Sequence, residues 1–257
     1  MLDFFNSPEV QEQFSLFLEL LPGDVWDTVY STALATLFAY VVGLPLGILL
    51  VTGEAGGVRP LPRWFMAALN FVINILRSVP FLILMILAIP LSRLILGTSV
   101  GTNAMIPPLV IAAFPFVARM VESSLREVDR GVLEAATAMG ASPLQIVWKV
   151  LLPEARPSLL TGATTVTITI LGYGAMAGFI GGTGLGATAI NYGYYRTQIV
   201  LEYCAVIALV ILVQIVQTAG TRTAVGSDKR LTKKSRRRGL RDANRQVNRD
   251  RRSPGGM

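Results

Sequence analysis

Glu134-Ala135-Ala136-Thr137-Ala138-Met139-Gly140-Ala141-Ser142-Pro143-Leu144-Gln145-Ile146-Val147-Trp148-Lys149-Val150-Leu151-Leu152-Pro153 is a polar, punctuated stretch between long apolar runs. Helix formers alternate in it with residues that start and stop helices, so it folds outside the hydrocarbon that its flanks cross. The same contrast divides the whole chain.

Of 257 residues, 52% are apolar and 15% are charged, against about 25% charged in soluble domains. With a mean hydropathy of +0.55, the chain reads as an all-α integral membrane protein. There is no histidine, and the one cysteine, Cys204, lies in an apolar run. Disulfide frameworks, Cys/His metal sites and imidazole catalysis are therefore excluded together. Charge is divided unevenly: residues 1 to 27 hold six acids (Asp3, Glu9, Glu12, Glu19, Asp24, Asp27) and no base, whereas residues 222 to 252 hold thirteen bases and three acids.

Five apolar runs are expected to span: about Val25 to Thr52, Trp64 to Leu96, Ala104 to Met120, Leu159 to Ile180 and Thr197 to Ala219; the first two comfortably exceed the ~20 residues that a hydrocarbon core requires, and the third is shorter. Before them, Ser7-Pro8-Glu9 starts a helix whose Val10, Phe14, Phe17, Leu18 and Leu21 share one face; it suits either the membrane interface or the surface of the bundle. In the first run, Gly43, Pro45 and Gly47 are packing or kink features. The second run either tilts across or begins as an interfacial piece and turns at Pro80, with Arg77 paired or at the boundary. Arg119 and Glu122, three residues apart, are placed to pair. The fourth run is rich in Thr and Gly, so hydroxyl bonds across helices are expected. A flexible loop, Gly181 to Tyr195, follows it, and Glu202 is placed to pair with Arg196 or Arg93.

Five spans put the termini on opposite sides. Arg59, Arg63, Arg126, Arg130, Lys149, Arg156 and the basic tail fall on one side and only Arg93 and Arg196 on the other, so the rule for Lys and Arg in short loops places the N-terminus outside and the C-terminus in the cytoplasm. The expected divisions are an extracytoplasmic or interfacial helix (1–23), a permease domain (24–222) with a cytoplasmic segment (about 123–157), and a disordered basic tail (223–257). The opening stretch then faces the cytoplasm. There Asp129 caps a helix carrying a Val132, Ala136, Met139 stripe, Gly140 ends it, and Ser142-Pro143-Leu144-Gln145 has the form of a capping box that starts a second helix. Ala135 and Ala136 on a helix surface admit a close partner, as docking requires. The other reading is a loop packed under the bundle.

Glu134-Ala-Ala, three residues, Gly140, nine residues, Val150, one residue and Leu152-Pro153 resemble the signature of the membrane-spanning subunits of binding-protein-dependent ABC importers, with Val150 where Ile is commoner. Ile75 to Phe81, Pro115 to Glu122, Gly172 to Gly178 and Gly181 to Gly186 are similar to the methionine-importing branch of that family. The resemblance covers about residues 25 to 220. It implies a type I importer permease fold with five transmembrane helices per subunit, a homodimer, two cytoplasmic ATPase subunits gripping the Glu134–Gly140 region, and an extracytoplasmic binding protein that delivers methionine or a related amino acid. The acidic N-terminal helix and the long basic tail depart from the pattern.

The chain itself has no G-x-x-x-x-G-K-[ST] phosphate loop, so ATP and Mg are expected on a partner and the chain is not expected to be an enzyme. Gly182-x-Gly184-x-x-Ala187 imitates a dinucleotide fingerprint, but it lies between two spans rather than between strand and helix. Nucleic-acid binding by the tail lacks interleaved aromatics. The candidate coupling residues are Glu134, Ala135, Ala136, Met139, Gly140, Ser142 and Pro143. For the pathway or gate, Thr169, Tyr173 and Met176 offer a polar, aromatic and soft surface, or else pack the bundle. An ion-coupled secondary transporter without an ATPase is the alternative, although no repeated halves are visible.

Overall fold

The computed structural model describes residues 7–227; expectations for residues 1 to 6 and for the tail from residue 228 lie outside the described residues. Helix α1 (Pro8–Thr52) starts with Ser7 at its cap and Pro8 in its first turn, and runs without interruption through Pro22, Gly23 and Pro45. The break expected near residue 23 is therefore absent. Tertiary contacts hold the N-terminal turns in register: Phe17 is buried against Leu201 and Ala205, and the Val200 amide donates to Gln13 Oε1 at 3.1 Å.

The second apolar run is two helices, α2 (Arg63–Ser78) and α3 (Phe81–Leu96), bent by 108°. Pro80 is the cause: it drives Val79 to φ −74°, ψ 128°, outside the helical region, as a proline does to the residue before it. Arg77 lies exposed in the last turn of α2. Helix α4 (Thr102–Arg126) is longer than expected and absorbs Pro107, Pro108 and Pro115. Helices α1, α4 and the later long pair, α7 (Arg156–Met176, continued to Ile180 by a 3-10 turn) and α9 (Ile199–Ser227), are long and apolar enough to cross a membrane, and α2 with α3 makes a fifth if counted as one broken span. Helix α9 also continues beyond Ala219, so residues 223–227 are helical rather than the start of the tail.

The first and fourth helices form the main contact. Ser31, Ala35, Ala39, Gly43 and Gly47, four residues apart on one face of α1, are all buried. A Cβ added at Gly43 or at Gly47 would lie 2.6 Å from the Cβ of Val117 or Val121, respectively. Without side chains the backbones approach, and dispersion contacts replace the solvent-driven association that lipid does not supply. Gly43 and Gly47 are thus packing residues.

The loop expected to be flexible is instead packed. A short helix, α8 (Leu185–Thr188), and a π-helical turn, Ala189–Tyr194, follow Gly184, and residues 184 to 188 are buried. The Thr28 hydroxyl accepts from the Leu185 amide at 3.0 Å, and Thr188 donates to the Asp24 carboxylate at 2.6 Å. Gly186 sits directly on the backbone of Ala175. Arg196 stacks over the Tyr192 ring at 4.6 Å instead of pairing with Glu202, whose side chain packs on Gly193.

Gly47→Val is expected to force α1 off α4 and to cost about 1–3 kcal/mol, the usual cost of overpacking. A lowered thermal-unfolding midpoint in detergent, relative to the chain with Gly47, checks this.

Candidate functional site

The segment beneath the bundle folds as its caps dictate. Helix α5 (Arg130–Ala138) begins at Asp129, whose carboxylate accepts from the Gly131 amide at 2.7 Å. Its end is a Schellman motif: Gly140 takes φ 78°, its amide donates to the Thr137 carbonyl at 2.9 Å, and the Ala141 amide donates to the Ala136 carbonyl at 3.1 Å. Ser142 then starts α6 (Pro143–Ile146) with a complete capping box; the Ser142 amide donates to Gln145 Oε1 at 2.9 Å, and the Gln145 amide to Ser142 Oγ at 3.4 Å.

From Ile146 the helix continues as a π-helical turn, Val147–Leu151, and a last α turn, Leu152–Glu154. Pro153 explains the change. Without an N–H it cannot bond the carbonyl four residues back, and its ring crowds that carbonyl. The Leu152 amide donates to Val147 instead, widening the turn as a π-bulge does.

The two helices present two distinct faces. Ala136, Ile146, Val147 and Leu151 are buried in the main core, continuous with Leu125 and Val128 at the end of α4. Glu134, Ala135, Gly140, Ser142 and Pro143 are exposed, together with Val132, Met139 (81% exposed), Leu144 and Trp148. The expected Val132, Ala136, Met139 stripe is therefore split: Ala136 faces the bundle and is not on the outer surface, while Val132 and Met139 point away from the bundle. Ala136 holds α5 against the core. Leu144 and Trp148 add to the exposed apolar side chains of this segment and were not among the residues singled out from the sequence, because a tryptophan beside a membrane span reads equally as an interface anchor.

Packing under the bundle and an open outer face thus coexist. Surface apolar groups gathered in this way mark an interaction site when they are contiguous.

Helix α7 carries the pathway candidates. Thr161, Thr165, Gly172 and Met176 are exposed and Thr169 is half-buried; their spacing of three and four places them on one face. Ser158 Oγ donates to Ser124 Oγ of α4 at 3.1 Å, but the threonine hydroxyls do not bridge helices as expected. Thr161, Thr164, Thr165, Thr167 and Thr169 each donate to the carbonyl four residues back, at 2.8 to 3.2 Å, which satisfies them within the helix. Tyr173 stacks on Phe81 at the start of α3, with ring centroids 3.7 Å apart and planes at 10°. A groove of about 470 Å³ between α7 and α9 includes Thr161, Thr165, Gln217 and Thr221 in its wall. Thr169, Tyr173 and Met176 lie further along α7, outside that groove.

An ionic chain lies beside these elements. Arg119 Nη1 donates to Glu122 Oε2 at 2.6 Å, the pair expected from the sequence. Its Nη2 donates to Asn70 Oδ1 at 2.8 Å and Asn74 Oδ1 at 2.9 Å, both on α2. Glu122 Oε1 accepts from Arg126 Nη2 at 2.8 Å, and Arg126 also pairs with Glu54 in the loop after α1. A charge near the hydrocarbon requires such partners.

Residues 43–233 match the family model described as the binding-protein-dependent transport system inner membrane component. The probable D-methionine transport system permease protein MetI of Vibrio cholerae is 48% identical over 219 residues, which cover 84% of this chain and 95% of that protein. Its counterpart in Pasteurella multocida is 43% identical over 212 residues, with 82% and 97% covered. Among solved structures, a chain of the MetNI methionine ABC transporter in an inward-facing conformation superposes with a TM-score of 0.80 at 43% identity, over 82% of this chain and 97% of that one. An amino acid ABC transporter chain at 19% identity shares the fold, with a TM-score of 0.62 and 85% and 95% covered.

Ser142→Ala is expected to remove the cap of α6 and cost about 1 kcal/mol. Faster amide hydrogen exchange at residues 144 to 147, with α4 unchanged, is the corresponding measurement.

Proposed function

The chain belongs to the binding-protein-dependent transport system inner membrane component family, and from that premise we propose that it is the permease subunit of an ATP-driven importer carrying methionine, or a related amino acid, into the cytoplasm. It is a multi-pass membrane protein with the type I importer permease fold. The observation that carries the reading is the set of exposed apolar side chains Met139, Leu144 and Trp148, on the segment that turns at Gly140 and whose buried residues are locked into the bundle core. A surface anchored on one side and bare on the other is suited to receive force from a partner and pass it inward.

In this reading two copies pair in the cell membrane of a prokaryote, with N-termini outside and C-termini in the cytoplasm. Two ATPase subunits take these exposed side chains together with Glu134, Ala135, Gly140, Ser142 and Pro143, while Ala136 transmits from the inner side of α5. ATP and Mg are bound and used on those subunits, and an extracytoplasmic binding protein delivers the substrate. The support for this set of partners is the similarity to permeases of methionine systems, together with the chain's lack of a phosphate loop.

Closure of the ATPase pair draws the two α5–α6 segments together. Since these share a core with α4, the bundles rock between outward and inward openings. The exposed face of α7 suits a pathway wall. Its threonine hydroxyls are already satisfied, so a passing zwitterion meets weak acceptors rather than tight binding sites. Tyr173 on Phe81 is the gate, and Met176 and Thr169 flank it.

Vesicles containing this chain with its ATPase and binding protein are expected to accumulate labelled methionine in an ATP-dependent manner. Uptake of other amino acids but not methionine would remove the substrate assignment, and ATP-independent uptake driven by an ion gradient would remove the permease reading.

Gly140→Val is expected to leave ATP hydrolysis running while uptake falls. A Cβ there meets nothing within 4 Å, so the defect comes from the left-handed backbone, at about 1–2 kcal/mol for an ordinary residue. Gly140→Asn, which tolerates that conformation, is expected to retain more of the coupling, as measured by the ratio of uptake to hydrolysis.

A further inference from the structure

Helix α2 is held to the bundle by few contacts. Only Met66 and Ile73 are buried on it, packed with Leu50 and Ala118, while Trp64, Phe71, Val72 and Ile75 are between 47% and 73% exposed. Among the described residues, its side-chain polar attachment to the bundle is Arg119. Asn70 and Asn74, one turn apart, turn both carbonyl oxygens to the same nitrogen of Arg119.

The other nitrogen of that guanidinium is committed to Glu122, and Glu122 to Arg126. Residues 119, 122 and 126 lie on one face of α4, and Arg126 precedes the start of α5 by four residues. At its far end α2 turns through Ser78-Val79-Pro80 into Phe81, the residue stacked on Tyr173. A path therefore runs from the segment beneath the bundle, along the backbone from Arg130 to Arg126, through three charged side chains, to the bent helix and the aromatic stack.

We propose that Arg119 is a positioning residue that ties helix α2 to the movement of the segment beneath the bundle, so that displacement of α5 is carried by Arg126, Glu122 and Arg119 to Asn70 and Asn74, and through the Pro80 bend to the Phe81–Tyr173 stack. This rests on the permease reading above. Two properties suit the network to the role. The guanidinium is a planar fork with donors fixed in direction, so a shift of α4 moves its acceptors with it. The Asn carbonyls hold α2 through neutral oxygens, which bind the cation without pinning α2 to another charge. With its small buried contact, α2 follows that link.

The test uses the assembled complex of this chain with its ATPase and binding protein in vesicles, comparing Asn74→Leu, the double variant Asn70→Leu/Asn74→Leu and Arg119→Lys with the unaltered chain. Methionine taken up per ATP hydrolysed is measured per assembled complex. Expected is retention of the ATPase partner and of hydrolysis within about twofold, with uptake per ATP falling roughly tenfold in the double variant and less in Asn74→Leu and Arg119→Lys. An unchanged ratio in all three variants overturns the proposal. So does a loss of assembled complex with an unchanged ratio in what remains, which is the mark of a merely structural role. Asn74 is exposed, so the single variant supplies a folded protein even where the double variant does not. Failure of the unaltered chain to import methionine or any other amino acid with ATP would instead overturn the permease reading itself.

Discussion

The contact between α1 and α4 is the constraint on which the rest of the molecule depends. Ser31, Ala35, Ala39, Gly43 and Gly47 bring nearly bare backbone against Val117 and Val121. In lipid, where apolar side chains gain little by leaving the solvent, such close approach is what makes two helices hold. With α1 on one side of α4, the remaining faces of α4 are free for other elements. Met85 of α3 and Val166 and Ile170 of α7 enter the same core, and its lower end continues through Leu125 and Val128 into Ala136 and Ile146.

Helix α1 also joins the two ends of the bundle. Near its middle, Asp24 and Thr28 hold α8 through Thr188 and Leu185. Just beyond its end, Glu54 meets Arg126. The packed α8 segment, held near the middle of the helix, and the ionic chain just past its end are therefore fixed to one continuous rod of 45 residues, roughly 67 Å long at 1.5 Å per residue. Against this frame α2 stands apart, half-exposed and joined by a polar link. Its looseness and the firmness of α1 on α4 are complementary: a moving part needs a rigid partner.

The segment beneath the bundle shows how one short sequence serves two surfaces. Its caps are local and its turns are closed by its own residues, so it is a firm unit rather than a loose loop. Ala136, Ile146 and Leu151 bind that unit to the core, leaving Met139, Leu144 and Trp148 on the outside. The π-turn at Val147–Leu151 is the adjustment that lets Pro153 remain in the helix leading to α7.

Local chemistry was legible from the sequence alone. Asp129, Gly140 and the Ser142–Gln145 box act on neighbours within a few residues, as does Pro80 on Val79, and the pairing of Arg119 with Glu122 needs only one helical turn. That the chain builds several long apolar helices was legible too, because a membrane demands them whatever they pack against. The structure alone decided which face of each helix is covered. Ala136 and Met139 share a helix and an apolar character, yet one is buried and the other bare, because Val128 and Ile146 approach from one side only. Likewise, the glycines after α7 read as slack until Ala175, near the end of α7, and Thr28 and Asp24, distant in sequence, close on them. Asn70 and Asn74 carried no signal at all, since their partner is 49 and 45 residues away. Caps and apolar runs are written in consecutive residues, whereas burial and long-range hydrogen bonds exist only once separate segments meet.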